Sequence, residues 1–281
     1  TTDLYQIALI LKETEISLSL LVSLILIIVA FSFKIAAAPF HMWAPDVYEG
    51  APTSITAFMS VGPKAAAFAV IGRVFYIAFI NIQTDWTTIL IGISILTMAV
   101  GNILALVQTN IKRMLAYSSI AHAGYMLLGV ITGTEEGLNA TMIYLLIYAF
   151  MNIGAFAIVI LLKDGDDLKN YEGLSKTHPF VSALMLVFMF SLTGIPPTAG
   201  FIGKFNLFKA VINAGYTWFV VIAVIFSAIS AYYYLRVIMN MYMKEIKEEV
   251  AIEPSLSLNT AIGITAFLVL AIGIVPSLVI Y

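Results

Sequence analysis

Cysteine is missing from the chain, and only 11% of its 281 residues are charged. The first absence excludes a disulfide framework, a thiolate zinc site and cysteine-ligated iron–sulfur clusters. No glycine-rich, phosphate-cradling motif occurs either, so no nucleotide site is expected. The sequence therefore predicts no catalytic redox site and no metal site on this chain, and no nucleic-acid partner. The scarcity of charge is far below the roughly 25% of a soluble domain. With 61% hydrophobic residues and a mean hydropathy of +1.00, the apolar surface exceeds what a soluble core can bury, so lipid is the expected solvent. The chain opens on Thr1, and no n-region, h-region and cleavage site can be read there. Residues 1–15 are expected to be a connecting segment following a truncated N-terminal part.

What is present is a series of long apolar runs. A spanning helix needs roughly 20 such residues. The runs are Ile16–Phe33, Thr53–Ile80 (interrupted by Lys64 and Arg73), Trp86–Ile111, Met114–Thr134, Gly137–Leu162, Pro179–Gly203, Ala210–Leu235 and Pro254–Tyr281. The expectation is an all-α, polytopic transmembrane bundle of about eight helices. If loops alternate sides, one side collects Lys112, Arg113, Lys163, Lys169, Lys176, Lys244 and Lys247, while the other receives Asp85, Glu135 and Glu136. The basic side is expected to be cytoplasmic, with Lys112-Arg113 as its flank marker. The polar loop Lys163–Lys176 should lie along that surface.

Two helices read as discontinuous. Phe180 to Thr193 supplies 14 residues, about 21 Å at 1.5 Å per residue, short of a hydrocarbon core of about 30 Å. The following Gly194, Pro196, Pro197 and Gly200 cannot continue a regular helix. Pattern resumes from Phe201 to about Asn213. A second break is expected at Pro39, after Lys34 in the first helix. Broken helices at membrane depth are a transporter feature, and the freed backbone groups must face protein or water.

Three lysines accompany these features. Lys34 is nine residues from Trp43, an expected interfacial anchor. Lys64 lies 11 residues inside its span from Thr53, and Lys204 follows the second break. The bland alternative is snorkelling to the headgroups. Near mid-membrane that becomes awkward, and a central lysine costs about 2.5 kcal/mol or more. Burial disfavours the charged form, so a neighbouring charge can tip the amine between gaining and losing a proton. Arginine stays charged and could not serve. Lys34, Lys64 and Lys204 are therefore expected relay stations, with His122, which titrates near neutrality, between them. Ser118, His122 and Tyr125 share one helical face, and Thr141, Tyr144, Tyr148 and Asn152 make a second polar stripe. Ser118, Tyr125, Tyr148, Asn152 and His41 are expected hydration or relay groups. Interhelical polar glue is the competing role for these stripes. His178 is expected to open a helix at the surface. Asp46 and Glu49 are expected to cap the next helix or contact a neighbouring subunit.

Three segments resemble a known family. They are FKIAAAPFHMWAPDVYEGAPTSITAFMSVGPKAAAF (33–68), GNILALVQTNIKRMLAYSSIAHAGYMLLG (101–129) and SLTGIPPTAGFIGKF (191–205), followed by YYYLRV (232–237). Together they are similar to the antiporter-like subunits of respiratory complex I, above all the subunit N branch, the counterpart of mitochondrial subunit 2. The resemblance covers almost the whole chain and implies helices seven to fourteen of a fourteen-helix, inverted-repeat fold. On that mapping, 16–84 ends the first inverted repeat with two helices. Residues 85–250 form the second repeat of five helices, broken around 194–200, and 251–281 is a C-terminal transmembrane helix. Lys34 resembles the lysine of the first broken helix, Lys64 the bridging lysine of helix eight, and Lys204 the lysine of the second broken helix. The helix-five glutamate of the family has no counterpart in this sequence.

The resemblance also implies proton translocation in the membrane arm of a NADH:quinone oxidoreductase, driven by quinone reduction elsewhere in the complex. NADH, flavin, iron–sulfur clusters and quinone are expected on partner subunits. Expected partners are other complex I membrane subunits, notably a neighbouring antiporter-like subunit and small membrane subunits, and the lipid bilayer. The expected location is a bacterial or archaeal cytoplasmic membrane. The alternatives are a cation/proton antiporter subunit, the membrane arm of a hydrogenase, and a purely structural scaffold.

Overall fold

The structure, a computed structural model, describes residues 1–13, 17–246, 250–252 and 255–280. Glu15, Ile16, Lys247, Pro254 and Tyr281, which carry sequence expectations, lie outside the described residues.

Among the described residues the regular structure is helical. In chain order the α-helices are α1 (Leu4–Glu13), α2 (Leu18–Lys34), α3 (Trp43–Gly50), α4 (Thr53–Arg73), α5 (Gln83–Leu106), α6 (Ile111–Ile131), α7 (Glu135–Leu161), α8 (Leu174–Thr177), α9 (Pro179–Thr193), α10 (Ala199–Asn213), α11 (Thr217–Met243) and α12 (Leu256–Ile274). A π-helical turn, Val74–Ala78, prolongs α4, and a 3-10 turn, Ile80–Ile82, leads into α5. Six helical stretches are long and apolar enough to cross a membrane: Thr53–Ala78, Ile80–Leu106, Ile111–Ile131, Glu135–Leu161, Thr217–Met243 and Leu256–Ile274. The shorter apolar helices α2 and α9 complete the set of eight, and each runs into one of the two expected breaks.

Polar caps set several of these boundaries. Ser17 accepts from the Leu20 amide, Asn110 from Arg113 and Thr134 from Gly137, each satisfying a first-turn donor that has no helical partner. Glu135 and Glu136 follow in the first turn of α7, where the helix dipole favours negative charge.

Around the bundle, large apolar side chains such as Phe58, Leu146, Phe205, Val221 and Phe267 point outward, as a lipid-facing perimeter requires. At the centre stands α6, buried along its length apart from Arg113. It is enclosed by α3, α4, α5, α7, α10 and α11. Gly101 and Gly124 permit the close α5–α6 approach. A Cβ on Gly101 would come 2.5 Å from the Ala121 nitrogen, and one on Gly124 2.9 Å from the Met98 nitrogen.

The structure corrects several sequence expectations. Within the segment expected to be a connector, Leu4–Glu13 is helical and packs on the Val74–Ala78 turn. The span expected at Ala210–Leu235 instead runs from Thr217 to Met243. The resumed helix α10 continues to Asn213 and turns at Gly215, whose φ is +89°. Arg113 and Lys112 lie inside the first turn of α6 rather than before it. Trp43 is not an anchor a fixed rise away from Lys34. The chain folds back after α2, so that Trp43 packs on Phe33 with ring centroids 5.6 Å apart and its Nε1 donates to the Phe33 carbonyl at 3.1 Å.

Both breaks are sealed by protein groups, as a low-dielectric setting demands. In the first, Ile35–Ala38 are buried, and the Ala38 amide donates to Thr97 Oγ1 of α5 at 3.0 Å. In the second, Gly194 ends α9 with φ +92°, a conformation that glycine adopts without steric cost. The Gly200 amide donates back to Ser191 Oγ at 3.0 Å.

On the basic side, ion pairs tie the loops together. Arg113 contacts Asp46 at 2.6 Å and Glu49 at 2.8 Å, Lys112 contacts Asp166 at 3.2 Å, and Lys244 contacts Glu172 at 2.8 Å. Asp46 and Glu49 thus serve an intramolecular pair. The loop 163–176 folds into a 3-10 turn and α8 rather than a loose strap, burying Leu168, Tyr171 and Leu174. His178 precedes α9 as expected, with Nε2 2.9 Å from the Val250 carbonyl.

Candidate functional site

Two of the three lysines meet inside the bundle. Lys64, on α4, is 2% exposed, and Lys204, on α10, 5%. Lys64 Nζ donates to the Ser119 carbonyl at 2.7 Å and also bonds Ser119 Oγ. Lys204 Nζ donates to the Thr193 carbonyl at 2.7 Å, Ser227 Oγ at 2.9 Å and the Leu192 carbonyl at 3.3 Å. It also sits 5.1 Å from the centre of the Tyr125 ring. Two of its partners are carbonyls at the end of α9, exposed by the helix break, where the partial negative charge of a C-terminus collects. Every hydrogen-bond partner of the two ammonium groups among the described residues is neutral.

Between them lies His122 of α6, 2% exposed and within electrostatic reach of both lysines. Its Nδ1 is 2.8 Å from the Tyr144 hydroxyl on α7, and its Nε2 is 3.1 Å from the Tyr234 hydroxyl on α11. Tyr234 in turn bonds Ser118. A neutral imidazole has one donor and one acceptor nitrogen, and a phenol can donate or accept. Either tautomer of His122 is therefore satisfied by these two hydroxyls. A second branch links Tyr233 to Asn102 at 3.1 Å and Asn102 to the Tyr125 hydroxyl at 3.2 Å, beneath Lys204. On the Lys64 side, Asn152 Nδ2 donates to Ser60 Oγ at 2.5 Å. Tyr148 packs against His122, with ring centroids 5.0 Å apart and the planes tilted by 39°.

The structure thus gathers Lys64, Lys204, His122, Ser118, Tyr125, Tyr148 and Asn152 into one buried polar row. It does not bring in Lys34, which is exposed at the end of α2 and has no hydrogen-bond or ion-pair partner among the described residues. His41 lies half-buried on the first break, also apart from the row. Pro39, Gly194, Pro196 and Pro197 fall at the two breaks as expected, whereas Gly200 lies in the first turn of the resumed helix α10. Sequence reasoning missed Ser60, Ser119, Asn102, Ser227 and Tyr234. Ser60 had a signal: it stands four residues before Lys64, and Thr56 four before that.

The family model described as NADH:quinone oxidoreductase/Mrp antiporter, TM, matches residues 1–230. The chain belongs to this family. Among curated members it is 54% identical over 276 residues to NADH-quinone oxidoreductase subunit N 1 of Thermodesulfovibrio yellowstonii, covering 98% of this chain and 60% of the relative. It is 52% identical to subunit N of Trichlorobacter lovleyi, covering 92% and 54%. The chain therefore spans little more than half the length of these NADH-quinone oxidoreductase subunits. Among solved structures it superposes on a chain of respiratory complex I from Thermus thermophilus with bound aureothin. That match has a TM-score of 0.81 and 37% identity, and covers 98% of this chain and 64% of the other. A chain of the Mrp complex from Dietzia sp. shares the fold, with a TM-score of 0.86 and 22% identity over 99% of this chain and 60% of the other. The antiporter-like, membrane-embedded architecture expected from the sequence is that of the NADH:quinone oxidoreductase/Mrp antiporter family.

Proposed function

We propose that this chain carries protons within the membrane arm of a NADH:quinone oxidoreductase, through a relay of Lys64, His122 and Lys204. Electron transfer is assigned to partner subunits, and the basic side of the bundle to the cytoplasm. The observation that carries the reading is the pair of buried ammonium groups on either side of a histidine whose two nitrogens both face hydroxyls. Identity of 54% to a subunit N favours the oxidoreductase over a stand-alone antiporter.

In this mechanism Lys64 and Lys204 are each held by neutral oxygens, with no carboxylate among their described partners to lock a charge in place. A proton arriving at one nitrogen of His122 allows release from the other, and Tyr144 and Tyr234 reorient to match the new tautomer. The carbonyls of Leu192 and Thr193 at the break give Lys204 a place to hold positive charge. Charge on Lys64 opposes charge on Lys204 through the same dry interior, so loading one favours emptying the other. Lys34, exposed at the end of α2 and apart from the row, enters as a further station once a neighbouring protein surface in the complex completes its surroundings.

The test is proton movement per quinone reduced in the assembled complex, with Lys204→Met, Lys64→Met and Lys204→Arg. Each is expected to lower the ratio. Lys204→Arg is decisive, since it keeps the charge but cannot release the proton. An unchanged ratio in all three would refute the relay.

A further inference from the structure

The cytoplasmic ends of α4, α6 and α7 converge on a polar cleft of about 540 Å3, lined by Thr53, Ser54, Asn110, Asp164, Asp166 and Asn170. The same three helices carry polar groups inward from it. On α4, Thr56, Ser60 and Lys64 follow at four-residue spacing and are all buried, so they form one ladder along a single face. Thr53 to Lys64 is about 16 Å along a helix. From α6 comes Ser119, which binds Lys64, and from α7 comes Asn152, which binds Ser60.

The rungs are built to hold water. Thr56 Oγ1 donates to the Tyr48 carbonyl at 2.8 Å and Ser60 Oγ to the Ala57 carbonyl at 2.7 Å, leaving each hydroxyl oxygen able to accept. Asn152 Oδ1, fully buried, has no hydrogen-bond partner among the described residues, and the Tyr148 hydroxyl, also fully buried, faces Ser119, the partner of Lys64. Buried polar atoms without a partner are costly, and proteins meet them with internal water. Asn152 and Tyr148 lie at the inner end of the ladder, one helical turn apart on α7.

Asp166 of the cleft wall belongs to an ion pair. Lys112, its side chain 5% exposed, contacts Asp166, 46% exposed, at 3.2 Å. It also donates to the Ala51 carbonyl at 2.9 Å, just before α4 begins. The amine thus ties the 163–176 loop to the start of the ladder helix.

We propose that protons enter from the cytoplasmic cleft, pass along Thr56, Ser60 and Asn152 to Lys64, and are gated at the mouth by the Lys112–Asp166 pair. The inference rests on Lys64 being a relay station. The step is a proton transfer. A hydronium ion in the ladder loses an O–H bond as an N–H bond forms on the neutral Lys64 amine, and a water molecule remains. The carboxylates at the cleft raise the local concentration of cations, and the paired Lys112 repels them until the loop moves.

Single cysteines at Thr53, Thr56 and Ser60 in the assembled, membrane-embedded complex test this, with a membrane-impermeant, positively charged methanethiosulfonate as the probe. Thr56→Cys and Ser60→Cys should be labelled in inside-out vesicles and not from the opposite face. Adding Lys112→Met should speed that labelling by about tenfold, as expected when one ion pair no longer biases the closed mouth. If Thr53→Cys is labelled while Thr56→Cys and Ser60→Cys stay unlabelled in both backgrounds, the entry route is wrong. An unchanged rate with Lys112→Met overturns the gate. Labelling needs no turnover, so this result is independent of whether Lys64 and Lys204 variants pump.

Discussion

Gly200 and Ser191 hold the second break together: the Gly200 amide donates to Ser191 Oγ at 3.0 Å, and a Cβ on Gly200 would stand 1.7 Å from the Ser191 carbonyl oxygen. The obstacle is backbone, which cannot swing aside as a side chain can. Gly200→Ala must therefore push α10 away from α9 and with it Lys204 from the carbonyls of Leu192 and Thr193. Overpacking of this kind costs about 1–3 kcal/mol or more. Thermal unfolding of the complex in mild detergent should show a lower midpoint, and the fraction of the chain recovered in assembled complex should fall. Gly215→Ala, at a turn with open space around the added carbon but φ +89°, is the milder comparison.

Tyr234 joins α11 to α6 through Ser118 and His122. Tyr234→Phe keeps the ring and removes the hydroxyl, leaving His122 Nε2 without that partner in a buried site. The expected destabilisation is about 1–3 kcal/mol. The expected functional effect is larger in kind, because one nitrogen of His122 then lacks a group that can both donate and accept. Proton movement per quinone reduced should drop in Tyr234→Phe, and Tyr234→His, which restores a donor–acceptor group, should recover part of it. A variant that is less stable yet pumps normally would make Tyr234 a packing residue only.

Arg113 gives the opposite case. Its contacts with Asp46 and Glu49 involve carboxylates that are 71% and 41% exposed, so water competes with both. Such pairs are worth about 0.2–1 kcal/mol. A double-mutant cycle of Arg113→Ala with Asp46→Ala should give a coupling energy below about 1 kcal/mol, and that coupling should shrink as salt is added. A much larger value would mean that the pair is shielded from solvent in the assembled complex.

The helical architecture was legible because apolar run length is a one-dimensional property, and lipid imposes it directly. Lys64 and Lys204 were legible for the same reason, since a charge interrupting an apolar run stands out without any knowledge of its neighbours. The partners were not. His122 meets Tyr234 across 112 residues, Tyr233 meets Asn102 across 131, and Asn152 meets Ser60 across 92. Pairing at such distances depends on helix packing, and serine, asparagine and tyrosine recur too often along the chain to mark which of them will converge. Lys34 shows the reverse limit. Its depth along the sequence matched that of a buried station, but the chain turns back at Ile35–Met42 and leaves the amine at an edge. The helix Leu4–Glu13 was hidden because its residues are mostly exposed and give no long apolar signal.

The enclosure of α6 bears on how the protein is made. A segment holding Lys112, Arg113, Ser118, Ser119, His122 and Tyr125 is a poor candidate to settle in hydrocarbon alone, where each unmet polar group is penalised. Its neighbours α7, α10 and α11 are synthesised after it. During biogenesis this helix must therefore wait, sheltered by the insertion machinery or resting against α4 and α5, until the later helices arrive and wrap it. The residues that do the work at the centre of the finished protein are thus the ones that make its assembly depend on order in time.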